Sequence, residues 1–280
     1  MERRQFLSGA GLAAAALPGA MQAQRPSPPR GRLKQSVCRW CYGKTPIDDL
    51  AAACVKMGIE AIDLVDPKEW PAVQKHGLKL TVVPGPTTIP EGLNRRENHD
   101  AAEQKFRVQI EEAAKAGAHS IIVFSGNRKG MADEQGAENC VIGLNRIKKY
   151  AEDRGILIVM ELLNSKVNHK DYMCDRTPWG ARVMREVNSP YVKLLYDVYH
   201  MQIMEGDIIR TINEYKDVIG HYHTGGNPGR NEIDETQEIY YPAVARAVAE
   251  TGFSGYFAHE FIPKRDPLVS LAEAVKICTV

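Results

Sequence analysis

Four side chains in this sequence could hold a hard divalent cation: Glu161, Asp197, His223 and Glu260. Each closes a short apolar run, over residues 156–161, 192–197, 218–223 and 255–260. Oxygen donors suit magnesium and manganese, and the imidazole tilts the choice toward manganese or a similar ion. Any one of them alone would mean little. A Glu at a strand end is ordinarily a solvated rim residue, an Asp before a helix is ordinarily an N-cap, and a single His on a strand is ordinarily a hydrogen-bonded core residue. The joint pattern is the signal, because the four end consecutive strand-like runs. His221 shares a strand face with His223 and reads as a structural residue one layer below the cation.

Three further residues belong to the site by position. His200, three residues after Asp197, could hydrogen-bond a substrate oxygen. Arg230, in the loop after His223, could pair with a substrate carboxylate or bridge hydroxyls. Asn164 could orient Glu161, as partners of metal ligands commonly do. Asn127, Arg128, His169 and Trp179 are weaker candidates. Cys38-Arg39-Trp40-Cys41 has Cys-x-x-Cys spacing, but no second pair matches it, and its strand-like context reads as packing. The six cysteines do not form a disulfide framework in a chain of this length.

The elements that must position these groups alternate in period. Strand-like runs cover 36–40, 61–65, 78–83 and 120–124, followed by the four named above. Helical patterns cover about 45–57, 68–75, 100–116, 133–154, 178–187, 207–215 and 242–250, with a last one starting near Pro267. Eight strand–helix units predict an α/β fold, a single-domain (β/α)8 TIM barrel over 33–280. A doubly wound open sheet is disfavoured because no Gly-rich nucleotide turn follows the first strand. The four candidate ligands then sit at carboxyl ends of strands, the face where such barrels place chemistry.

At 280 residues, 44% hydrophobic, 25% charged and net charge +1, the chain carries no overall field toward nucleic acid or an anionic membrane. No apolar run has the length of a membrane-spanning helix. Residues 1–32 read as a leader and tether. Arg3-Arg4-Gln5-Phe6-Leu7 before an alanine-rich stretch resembles a twin-arginine export signal, and a Pro-rich segment follows it. The expected location is periplasmic or otherwise exported.

The motifs resemble the xylose isomerase-like barrels, within them the hydroxypyruvate isomerase and ketose 3-epimerase branch. Glu161-Leu162-Leu163-Asn164, Tyr196-Asp197-Val198-Tyr199-His200-Met201-Gln202 with Met204-Glu205-Gly206, Gly220-His221 through Asn227-Pro228-Gly229-Arg230, and Gly255-Tyr256 to His259-Glu260-Phe261 carry the resemblance. It implies that Glu161, Asp197, His223 and Glu260 bind a divalent ion, Mn2+ or Mg2+, and that Glu161 and Glu260 double as acid and base. It also implies a sugar or keto-acid substrate isomerised through an enediolate, with hydroxypyruvate the named candidate, and a possible homo-oligomer. The hydroxypyruvate isomerase branch often has Gln where this chain has His223, whereas the epimerase branch has His, so ketose 3-epimerisation is the close rival. An endonuclease IV-like metal cluster would need several more strand-end His than the eight in this chain supply. An exported sugar-binding barrel without turnover is the non-catalytic alternative.

Overall fold

A computed structural model describes residues 31–280. The leader expected over 1–32 therefore lies, except for its last two residues, outside the described residues. Strands and helices alternate: β1 Lys34–Cys38, α1 Ile47–Met57, β2 Ala61–Asp63, α2 Trp70–Lys75, β3 Lys79–Leu80, β4 Val82–Val83, α3 His99–Lys115, β5 Ser120–Val123, α4 Asp133–Arg154, β6 Leu157–Glu161, α5 Thr177–Val187, β7 Val192–Asp197, α6 Val198–Met204, α7 Ile208–Tyr215, β8 Ile219–Thr224, α8 Tyr241–Glu250, β9 Tyr256–His259 and α9 Pro267–Cys278. The helix ends follow local chemistry. Gly58 and Gly155 take the left-handed conformation that closes α1 and α4. Asp266 caps α9 through the Leu268 and Val269 N–H groups, with Pro267 at the first position.

All strand pairs are parallel, in the order β3-β2-β1-β9-β8-β7-β6-β5-β4. β3 and β4 are halves of one strand, parted at Thr81. The Leu64 N–H donates to the Val82 carbonyl at 2.6 Å and the Thr81 N–H to Ile62 at 3.3 Å, so the two ends of the sheet meet. The result is a nearly closed parallel barrel ringed by helices, a (β/α)8 TIM barrel. The Arg32 N–H donates to the Val280 carbonyl at 2.8 Å, tying the start of the barrel to its end. No described helix is long and apolar enough to cross a membrane.

Three elements differ from the sequence reading. The third strand breaks at Thr81, whose hydroxyl turns to the Asp63 carboxylate. The first strand stops at Cys38 because Arg39–Tyr42 wind into a 3-10 turn that carries Trp40 across the barrel mouth. An additional short helix, α6, starts directly after Asp197, whose carboxylate accepts the His200 N–H at 3.0 Å and caps it. Seven residues are too few to show a helical period against an apolar background.

The barrel interior is divided by chemistry. On the β4–β7 side Val82, Ile122, Val159 and Leu195 form a separate apolar cluster, each such burial worth about 1.5–3 kcal/mol. On the other side Ser36, Cys38, Asp63, His221 and His223 are all fully buried. One irregularity sets the register between these halves. Leu194 pairs with Ile219, but Leu195 pairs with His221, so Gly220 is an extra residue in β8. A side chain at that bulge would press on Lys193, with a Cβ 2.8 Å from the Lys193 Cβ. The skip brings Asp197 opposite His223; without it Asp197 would face Tyr222, and the imidazole would point out of the barrel.

Candidate metal centre and active site

One ligand atom from each of Glu161, Asp197, His223 and Glu260 lies within 4.8 Å of the other three. Donors about 2.0–2.6 Å from a cation stand at most about 4–5 Å apart across it, so the spacing suits one shared ion. The four come from β6, β7, β8 and the residue after β9, at the carboxyl ends of the strands, and all are buried.

Each group is held differently. Glu260 Oε1 accepts the Trp40 indole N–H at 2.6 Å, while Oε2 accepts from Arg230 and lies 2.8 Å from His223 Nδ1. Asp197 Oδ1 caps α6, and Oδ2 accepts from Arg230 at 3.0 Å. Glu161 is more loosely placed, with Oε1 3.4 Å from His223 Nδ1. Burial raises the Asp197 pKa to about 7 against the opposing pull of Arg230. Burial also raises Glu161, offset in part by His223. For Glu260 burial acts in the same sense, but Arg230 and His223 outweigh it and hold the carboxyl well below the usual range.

The donor set fits a divalent ion by charge. The three carboxylates outnumber the one guanidinium among them, an excess of negative charge that a divalent cation offsets with His223 neutral. His223 Nδ1 is buried without a hydrogen-bond partner and faces two carboxylates. Burial works against a positive His223, yet Cys38, Glu260 and Asp63 raise its pKa well above the ordinary value. A proton and a metal ion are thus alternatives at the same lone pair.

Next to Glu161 and Glu260 lies a cavity of about 380 Å³, within the ordinary range of small-molecule sites. Glu161, Glu260 and Arg230 line it together with apolar residues that include Leu64, Ile122 and Phe124. His200 is buried, not a surface residue. Its Nδ1 accepts the Asn164 backbone N–H at 3.2 Å, which places the hydrogen on Nε2. Nε2 lies 3.7 Å from Asp197 Oδ2 and has no hydrogen-bond partner among the described residues. Burial, then Arg230 and His169, keep the ring neutral by lowering its pKa well below the ordinary value.

Two candidates do something other than expected. Asn164 does not reach Glu161: its carbonyl accepts the Val167 and Asn168 N–H groups and its amide meets His200 and Asn168, so it shapes the loop and orients His200. Arg230 is engaged by Asp197 and Glu260 and lies between the Trp40 and Tyr199 rings, 5.3 and 5.5 Å from their centroids. Arg128 bonds Asp133 and Asp175 instead of facing the cavity, Asn127 bridges to Tyr172 and the Trp179 indole donates to the Asp133 carbonyl; His169 lines the cavity. Cys38 and Cys41 are free thiols, and Cys38 Sγ is 3.6 Å from His223 Nε2. The sequence reading missed Trp40, Tyr199 and Asp63. Asp63 had a weaker signal, a carboxylate in the middle of the strand-like run 61–65.

Residues 44–278 match the family of xylose isomerase-like TIM barrels. The chain belongs to that family. Among its relatives is the human putative hydroxypyruvate isomerase, 26% identical over 234 residues that cover 77% of this chain and 83% of that one. The fold of this xylose isomerase-like barrel is shared with two solved structures. An AP endonuclease, family 2, from Brucella melitensis superposes with a TM-score of 0.78 at 19% identity, covering 86% of this chain and 98% of the other. D-psicose 3-epimerase with D-tagatose from Clostridium cellulolyticum H10 gives 0.69 at 18%, covering 88% and 90%.

Proposed function

We propose that this barrel is a divalent-metal-dependent isomerase or epimerase of an α-hydroxy carbonyl compound. The observation that carries the reading is the convergence of four buried ligand atoms from four strand ends, two of them, on Glu161 and Glu260, in residues that line the cavity. Glu161, Asp197, His223 and Glu260 would hold the ion. When bound, it would supply Lewis acidity to a substrate carbonyl and its neighbouring hydroxyl.

The chain's own groups do the rest. Glu161 and Glu260 approach from opposite neighbours of the ligand set and differ in environment, one pushed up and the other held down. Such a separation is how paired carboxyls divide acid and base roles. One removes the proton from the carbon beside the carbonyl; the other returns a proton to the adjacent carbon or to the opposite face of the resulting enediolate. His200 carries a neutral Nε2–H beside Asp197, 3.7 Å from Oδ2, which would meet a substrate oxygen only if the substrate reached past the cavity lining to that carboxylate. Trp40 and Arg230 keep Glu260 ionised and fixed.

The human relative supports hydroxypyruvate as substrate by its name. A specific feature favours a neutral ketose instead: Arg230 already serves Asp197 and Glu260, and among the described residues no other Arg or Lys lines the cavity. A three-carbon acid would find no uncommitted guanidinium or ammonium there, whereas a ketose needs none. The near-neutral net charge and the single imidazole ligand weigh against phosphodiester cleavage.

The test is wash-in of solvent deuterium at the carbon next to the carbonyl, screened over hydroxypyruvate and ketoses with Mn2+ and then with a chelator. Exchange that stops on chelation supports the proposal. Binding of a sugar with no exchange for any substrate would favour a non-catalytic barrel.

A further inference from the structure

Beneath the four candidate ligands lies a second polar layer that the proposed chemistry does not use. Asp63, at the end of β2, is fully buried. Its Oδ1 accepts the Thr81 hydroxyl. Its Oδ2 lies 2.7 Å from His221 Nε2 and 3.5 Å from His223 Nε2. Cys38 Sγ is the other neighbour of that same His223 nitrogen. The two imidazoles meet edge to face, their centroids 5.2 Å apart at 84°.

We infer that Asp63 is the positioning residue of the metal centre, fixing His223 as the Nε2–H tautomer so that its Nδ1 lone pair faces Glu161, Asp197 and Glu260. This rests on the metal reading above. The argument is one of donors and acceptors. An ionised carboxylate only accepts, so the negative oxygen 3.5 Å away favours a hydrogen over a lone pair on the imidazole nitrogen nearest it. The other nitrogen is then left bare, as a metal ligand requires, and hydrogen bonding at the far nitrogen is what selects which one binds. The Thr81 hydroxyl bond and the close approach of the His221 ring keep the carboxylate from turning away, and β2, the split third strand and β8 are joined beneath the site. Thr81 thereby gains a reason for standing where β3 and β4 part.

Cys38, Asp63 and His223 also lie close enough together to suggest a second ion. The hydrogen-bond arrangement argues against it. His223 would have to give up its Nε2 hydrogen and bridge two cations, while Asp63 is already engaged by Thr81 and His221.

The test uses the full chain and Mn2+ as probe. Asp63→Asn keeps the side-chain volume but adds a donor that can meet His223 Nε2 and favour the opposite tautomer. Mn2+ affinity, read by paramagnetic resonance of the free ion, should fall about 10–100-fold, the usual cost of removing such a partner, while circular dichroism stays unchanged. In the Mg2+-loaded wild type, two-bond proton–nitrogen spectra of 15N-histidine protein should show His223 protonated at Nε2. Unchanged Mn2+ affinity in folded Asp63→Asn, or His223 protonated at Nδ1 in the wild type, overturns the inference while leaving the metal reading intact. A wild type that binds no Mn2+ overturns the metal reading itself. Two ions per chain, with a thiolate-to-cobalt band in Co2+-loaded protein that Cys38→Ser removes, would replace the scaffold with a second metal site.

Discussion

Glu260→Gln is expected to lower deuterium wash-in about 10²–10⁴-fold, the usual contribution of one positioned acid or base. The glutamine carbonyl can still accept the Trp40 N–H, so the mouth should keep its shape. What disappears is the charge. A neutral amide cannot take a proton from carbon, and it cannot balance Arg230 and His223, both of which now lean on Glu260 Oε2. The measurement is the exchange rate at saturating Mn2+ beside the unfolding temperature. Activity within tenfold of wild type would remove Glu260 from the chemistry.

Arg230→Met should have the largest effect on stability. The guanidinium is the cation shared by Asp197 and Glu260, whose side chains are 0% and 4% exposed, and is itself 13% exposed. Methionine keeps much of the length between Trp40 and Tyr199 but leaves buried carboxylates uncompensated. Removing one partner of a buried pair costs about 3–5 kcal/mol. In chelator the variant should lose about that much on urea unfolding. With saturating Mn2+ the loss should shrink, because an ion bound only by the folded state adds its own binding free energy and neutralises the same oxygens. A loss that is equal with and without metal would show that Arg230 supports the loop and not the charge balance.

The barrel was legible in the sequence because its units alternate in period, and some helices also carry end signals such as Gly58, Gly155 and Pro267. The four candidate ligands were legible for a related reason: each ends an apolar run, so its burial was implied by its neighbours. Asp63 escapes that rule: in sequence it sits inside the apolar run 61–65, and only the structure ends the strand there. The bulge at Gly220 was not legible, since register belongs to the pairing of β7 with β8 and not to either strand alone. Trp40 was hidden within a segment that reads as strand, and nothing local says that the chain turns there to bring an indole to Glu260. Asn164 shows the opposite failure. Its distance from Glu161 along the chain suggested a partner, but an Asn followed by a polar loop readily spends its carbonyl on nearby backbone N–H groups.

Titration of Mn2+ into the wild type and into an Asp197→Asn, His223→Ala double variant tests the central claim most directly. The wild type should bind one ion per chain, more tightly above neutrality than below, because the buried Asp197 carboxyl, with a pKa raised to about 7, must lose its proton to ligate. The double variant should bind none at the same concentrations. Equal binding by both proteins, or none by the folded wild type, would contradict a cation held by these four side chains.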